Sequence, residues 1–392
     1  MKLSNLFSEA LMADPHGGFR HLRAAGAVHE SVTPDGEAVW VVTRYVEARD
    51  ALADSRLSLN KSNARTRGEY QSSMPPELDA HLLNMDAPDH TRLRRLVSRA
   101  FTPRRVEALR PHIQRHVDGL LDAAQGSEVD LIAALAEPLP MGVICDLLGI
   151  PAGDRSDFRA WTSSLMSPRP GAASESRAAM KNMYQFLASI LEDKRRHPTD
   201  DLLSDLLESH EEHDRLTAAE LVSLSFLLLF AGYDNAVHLI GNGILGLLLN
   251  PGHLKSLGDG HLPSRLVIEE TLRWNPPSAL GVRRFALQDV TIGGTEIPTG
   301  GRVWIALISA NRDEAQFEAP DDFNPHRNLG HLSFGHGAHY CLGASLARLE
   351  AEIALTTLVR SRPDLTLAVE PDELRWWPSF HKRGLQELPA RW

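Results

Sequence analysis

The sequence predicts a mainly α-helical protein with a small β-sheet region. Apolar residues recur at helical spacing over long stretches, whereas strand-like runs are few and short. No Pro-, Gly- or Ser-rich stretch divides the chain into segments that could each bury a core, so residues 1–392 are expected to form a single domain.

Taken in order, Ala38 to Thr43 (AVWVVT) reads as the first strand. Helical spacing then covers Thr91 to Ala100, Val106 to Asp122 and Ala178 to Arg195. The longest helix is expected over Ala218 to Asn250. Within it, Leu221 to Leu249 is long and apolar enough to suggest a membrane span, but Asp234, Asn235, His238 and Asn242 lie at its centre. A charge there is costly in lipid, so a helix through the core of a soluble protein is expected instead. Ser264 to Asn275 is a further helix. The strands Val290 to Ile292 and Val303 to Ile308 follow, joined through Ile-Pro-Thr-Gly-Gly, and Gly343 to Ser361 forms the last helix. The stretch Ser167 to Ser174 (SPRPGAAS) reads as a loop.

Hydrophobic residues make up 43% and charged residues 23%, which are globular values. The N-terminus lacks the basic start and continuous apolar run of a signal peptide, so a cytoplasmic protein without a membrane anchor is expected. Two cysteines cannot build a disulfide framework. A formal net charge of −10 argues against nucleic acid as a partner.

One of those cysteines stands in Ser333-Phe-Gly-His-Gly-Ala-His-Tyr-Cys341-Leu-Gly, just ahead of the last helix. Glycines at 335, 337 and 343 permit backbone angles closed to other residues and let another group approach closely. A thiolate at a helix start gains from free amide hydrogens and the helix dipole, which suits metal ligation or nucleophilic attack. Zinc bound by His336, His339 and Cys341 is one reading, although the only other cysteine, Cys145, lies far off in an apolar stretch. A cysteine–histidine nucleophile pair is a second, and a buried structural cysteine a third.

Phe334-Gly-His-Gly-Ala-His-Tyr-Cys341-Leu-Gly343, followed by Ala344-Ser-Leu-Ala-Arg348, resembles the haem-ligand signature of the cytochrome P450 family at every defined position. The resemblance implies the fold of that family, with haem b (iron protoporphyrin IX) between the long central helix and the cysteine loop. Cys341 is then the axial iron ligand, with Phe334 and Gly343 beside the cofactor. Glu270-Thr-Leu-Arg273 matches the family's Glu-x-x-Arg helix motif, and Phe323-Asn-Pro-His-Arg327 the segment that completes its ion-pair network, which gives Glu270, Arg273 and Arg327 a structural role.

At about 100° per residue, His90, Arg94, Val97 and Phe101 share one helix face, and Arg92, Arg95 and Arg99 the opposite one. The resemblance assigns His90 and Arg94 to haem propionates, together with Arg284 and His339; charge-assisted bonds to carboxylates suit that set. The other face, with Arg104 and Arg105 nearby, is either a solvated surface or a dock for an acidic ferredoxin.

On the central helix, Ala231, Asn235, His238 and Asn242 fall within about 40° of one another, with Asp234 to one side. This polar stripe is either satisfied by neighbouring carbonyls or forms a groove where oxygen binds and protons arrive. Ala231-Gly-Tyr-Asp234-Asn235 resembles the family's Ala-Gly-x-Asp-Thr motif, with Asn235 where threonine is usual. An amide does not relay protons as a hydroxyl does. Asp234 is expected to supply protons through water, and Asn235 to leave delivery to ordered water or a substrate hydroxyl, or to mark oxidative coupling in place of hydroxylation.

The resemblance thus implies a monooxygenase that uses O2 and two electrons from NAD(P)H, delivered by a ferredoxin and its ferredoxin reductase, to hydroxylate, epoxidise or couple a small hydrophobic substrate, in secondary metabolism. A monomer is expected. Apolar pocket walls are expected from Leu227, Ala231, Leu280, Val282 and Phe380, with loops Ser58 to Leu83 and Leu165 to Ser176 gating access. A peroxide-driven peroxygenase and a non-enzymatic haem sensor or electron carrier are the competing readings.

Overall fold

The computed structural model describes residues 6–33, 36–64, 74–166, 173–208, 216–327 and 330–392. The helices that place the site are α1 (Asp89–Ser98), α2 (Arg110–Ala123), α3 (Pro138–Leu147), α4 (Ala173–Arg196), α5 (Ala218–Leu248), α6 (Ser264–Trp274) and α7 (Ala344–Ser361). The main sheet is formed by β1 (Val28–Val32), β2 (Ala38–Val42), β3 (Leu57–Ser58), β4 (Arg284–Ala286) and β7 (Arg302–Ile305), in the order β1-β2-β7-β4-β3. Only β2 and β7 run parallel, with Val39 opposite Arg302. A separate hairpin pairs β5 (Val290–Ile292) with β6 (Thr295–Ile297).

The central helix α5 begins at a capping box: the Thr217 hydroxyl accepts from the Glu220 amide, and the Glu220 carboxylate accepts from the Thr217 amide at 2.8 Å. It stops just before Asn250, whose backbone is turned out of the helix by the proline that follows it and opens the next one. By length and composition α5 could cross a membrane. Here it is the axis of the largest apolar core, packed against α3, α4, α6 and α7. Gly246 lets Phe323 cross it closely, since a Cβ there would lie 2.8 Å from that ring.

Two expected elements differ. The helix expected over Val106 to Asp122 is broken at Leu109 into Pro103–Ala108 and α2. Pro111 is the cause, because its ring cannot share a helix with the carbonyl of Glu107 four residues earlier. The strands expected at Val290 to Ile292 and Val303 to Ile308 do not pair with each other. The first closes on β6, while β7 ends at Ile305, a short helical turn takes Leu307–Ala310, and β7 joins the main sheet beside β2.

Candidate active site

The segment from Phe334 to Cys341 folds back on itself, with the Cys341 amide donating to the Phe334 carbonyl at 2.8 Å and the Tyr340 amide to Gly337 at 3.1 Å. Gly337 needs its glycine twice over. Its φ is +76°, and a Cβ would come within 3.0 Å of Ala53 Cα. Cys341 thus sits at the mouth of α7 and borders a cavity of about 280 Å³. The sulfur is accessible through that cavity and has protein around it otherwise, so burial pushes the thiol pKa up. The Gly343 amide, Arg94 and Arg348 pull it down without overcoming burial. Burial thus opposes the helix start and the two arginines, and a bound metal cation would ionise the sulfur. Zinc is not favoured, because no group of three or more His, Cys, Asp or Glu side chains converges as a metal site among the described residues.

One corner of the same cavity gathers cations and unpaired donors. Arg94, Arg284 and His339 line it, and His90 lies against His339 with ring centroids 3.9 Å apart and planes tilted by 41°. His90 Nε2, His339 Nδ1 and Arg284 Nε are buried without a hydrogen-bond partner. Burial, followed by the charges of His90 and Arg284, drives His339 down to about 3, and burial lowers Arg284 to about 10. Such a cluster is costly unless an anion completes it. A ligand carrying carboxylates at this edge and a metal above Cys341 satisfies both, and haem has that shape: its propionates would meet His90, Arg94, Arg284 and His339, and Cys341 would take the iron.

Beneath the loop, Arg273 makes a two-pronged pair with Glu270 at 2.7 and 2.8 Å, both side chains fully buried. Arg327 adds a 3.1 Å bond to the same carboxylate, and Arg273 also donates to the carbonyls of Asn311, Pro320 and Asp322. A second pair was not anticipated: Arg348 donates to Glu269 at 2.9 Å while its guanidinium lies 4.5 Å from the centre of the Phe334 ring. The signal for it was adjacency, since Glu269 neighbours Glu270 on α6 and Arg348 follows Cys341 by two helical turns.

Across the cavity, Leu227, Ala231 and Asn235 of α5 face Leu280 and Val282. Asn235 Nδ2 donates to the Ala231 carbonyl at 3.1 Å. Asp234 is turned aside, 3.5 Å from both Lys382 Nζ and His238 Nε2. Burial raises its pKa, but His238 and Lys382 outweigh that and hold it below the ordinary carboxylate value. Near neutral pH it is therefore an anion, which takes up a proton before passing one on. The expected polar stripe splits. Asn242, fully buried, donates to the carbonyls of Asn275 and Arg383, and His238 is enclosed against Gly384, so neither belongs to the cavity wall.

Phe380 also departs from expectation. It packs edge-on to Phe7 with centroids 5.0 Å apart and lines a smaller apolar recess beside the N-terminal segment, because β7 and Trp304 draw the C-terminal loop toward the sheet. Leu82, Leu83 and Ser278 line the main cavity in addition to the residues expected. Of the two loops expected to gate access, residues 65–73 of the first and 167–172 of the second lie outside the described residues. On the outer face of α1, Arg92 is paired with Glu220, and nearby Arg105 with Asp205.

A family model described as Cytochrome P450 matches residues 264–362. The chain is 43% identical over 385 residues to cytochrome P450 monooxygenase PikC of Streptomyces venezuelae, covering 97% of this chain and 91% of the relative. It is 43% identical over 390 residues to the vitamin D(3) 25-hydroxylase of Pseudonocardia autotrophica, covering 98% and 96%. Among solved structures, the bacillaene polyketide synthase cytochrome P450 PksS of Bacillus subtilis 168 superposes with a TM-score of 0.93 at 34% identity over 99% of both chains.

Proposed function

The chain belongs to the cytochrome P450 family, and from that premise we propose that it oxidises a hydrophobic natural-product intermediate of secondary metabolism in the cavity between α5 and the Cys341 loop. It is a haem-dependent monooxygenase that uses O2 and electrons derived from NAD(P)H through redox partners. One observation carries the assignment of the cavity: Cys341 borders the same space as Arg94, Arg284 and His339, and Arg284 Nε and His339 Nδ1 there are buried without a hydrogen-bond partner. Haem, when bound, supplies oxygen activation and electron transfer, which thiolate ligation assists.

The protein's own residues hold and orient. Cys341 would ligate the iron; His90, Arg94, Arg284 and His339 would bind the carboxylates, with Phe334 and Gly343 against the cofactor on the sulfur side and Ala231 on the other. Glu270, Arg273 and Arg327 fix the floor by burying their charges against one another. Leu227, Ala231, Leu280 and Val282 make the substrate wall apolar, so binding excludes water and favours a ligand with little charge. The relatives include a protein named for vitamin D(3) hydroxylation and one belonging to a polyketide synthase, which favours polyketide or terpenoid scaffolds here. Titrating such compounds while watching the haem spin state, then identifying the product, tests the reading; a panel in which no apolar compound shifts the spectrum would contradict it.

Asn235 contributes an amide beside the oxygen site, and Asp234 a fixed negative charge next to it. Replacing Asn235 with threonine is expected to change the peroxide released per NADPH consumed; unchanged coupling together with an unchanged product removes Asn235 from the mechanism. We place the protein in the cytoplasm as a soluble monomer. A ferredoxin, re-reduced by its reductase, docks on the Cys341 side, where residues 336–338 and Tyr340 are exposed and α1, which carries Arg95 with Arg99 at its end, meets the loop through Arg94 on the Tyr340 carbonyl. Arg92 is paired with Glu220 and Arg105 with Asp205.

A further inference from the structure

Ser278 stands opposite Lys382 in an isolated antiparallel bridge, held by the Arg383 amide on the Pro277 carbonyl at 2.9 Å and the Ala279 amide on His381 at 2.8 Å. That bridge sets two side chains against consecutive residues of α5. Lys382 Nζ lies 3.5 Å from Asp234, and the Ser278 hydroxyl donates to Asn235 Oδ1 at 3.2 Å. Asn235 is thereby committed on both ends of its amide, to Ser278 and to the Ala231 carbonyl. Serine and threonine hydroxyls on the cavity wall are few among the described residues. Ser333 is on the sulfur side and donates to the Leu272 carbonyl, which leaves Ser278 as the hydroxyl on the α5 side.

We propose that Ser278 supplies, from the loop facing α5, the hydroxyl that position 235 lacks, and passes protons into the cavity beside Asn235. This rests on the placement of the oxygen site next to Asn235. In each transfer the Ser278 hydroxyl gives up its hydrogen bond to Asn235 Oδ1 and turns to the cavity, and its O–H bond breaks as the proton moves to reduced dioxygen. A new O–H bond forms as the serine oxygen takes a proton from a water connected to solvent, and the bond to Asn235 is remade. The serine is regenerated. The protons come from solvent and the electrons from the NAD(P)H route of the family's reaction. Asn235 orients the hydroxyl; Asp234 and Lys382 keep the neighbouring path polar.

The test compares Ser278→Thr with Ser278→Val in the haem-loaded enzyme, because those two side chains have nearly the same shape and differ in the hydroxyl. Two quantities are read: the infrared stretch of carbon monoxide bound to the reduced protein, which senses hydrogen bonding without turnover, and peroxide released per NADPH. The valine variant is expected to shift the carbon monoxide band and raise peroxide release by about fivefold, the size of one lost hydrogen bond, while the threonine variant stays close to the parent on both. Equal behaviour of the two variants, whether both normal or both impaired, overturns the proposal, as does impairment of threonine alone. A parent protein lacking the thiolate signature in its carbon monoxide spectrum indicts the haem reading instead, so the two failures are told apart.

Discussion

Glu269 shows how one carboxylate beneath the cysteine loop is tuned. Burial alone would raise its pKa, but Arg348 and then His331 outweigh that and bring it down to about 2 from 4.5. A depressed carboxylate stabilises the fold above its unfolded pKa and loses that contribution as pH falls toward the folded one. Glu269→Gln is therefore expected to lower stability at pH 7 by about 2 kcal/mol and to flatten the dependence of melting temperature on pH between about 4.5 and 2. Glu350, one helical turn beyond Ala347 on α7, has the opposite sign. Burial pushes it up to about 8, and its Oε2 has no partner, so its contribution is complete below about 4.5 and is lost as pH rises toward 8. Thermal unfolding should show Glu350→Gln gaining on the parent at pH 8 and matching it at pH 4; a constant difference across that range would mean that the group does not titrate in this way. The resemblance names Cys341, Arg94, Arg284 and His339 together, and the fold brings all four to one cavity, with His90 against His339. The parts played by Ser278, Arg348 and Lys382 were not legible in the sequence, because each acts through a partner tens or more of residues away that no local pattern announces.

At the scale of elements, α5, α6 and α7 show where periodicity suffices and where it stops. Their boundaries fall within two residues of the sequence reading, because long apolar periods and clear end signals coincide there. The break at Leu109 was missed although Pro111 announces it, since the apolar period runs through both helices. The partnership of β7 with β2 was hidden for another reason: the two strands lie about 260 residues apart, and parallel pairing leaves no hairpin signal between them. The polar stripe on α5 was visible but not divisible. Helical angle placed His238 and Asn242 in line with Asn235, whereas the C-terminal loop and the segment after α6 cover that half of the helix. The Glu270–Arg273 pair lies within α6, and its two side chains tie the helix to the carbonyls of Asn311, Pro320 and Asp322 and to Asn324 and Arg327. Glu270→Ala strands two buried guanidinium groups and is expected to cost about 3–5 kcal/mol, read as a lower urea midpoint and reduced haem retention; an unchanged midpoint would show that the pair is dispensable.

Across the whole molecule, a formal net charge of −10 coexists with an arginine-rich helix, α1, which meets the Cys341 loop through Arg94 on the Tyr340 carbonyl. Electrostatic docking of an acidic electron donor on that helix should weaken as salt screens it. Arg95→Glu is expected to raise the KM for ferredoxin several-fold at low salt and to leave substrate affinity unchanged, whereas an effect on substrate binding alone would move the docking site elsewhere. The length and apolarity of α5 are likewise explained by position, since it runs through the largest core and presents a short face to the cavity. The most direct test is to load the protein with haem, reduce it and add carbon monoxide. Ligation by the Cys341 thiolate predicts the strongly red-shifted Soret band of a thiolate-bound complex, abolished in Cys341→His. A parent protein whose band lies where imidazole-bound haem absorbs, or which takes up no haem, would contradict it.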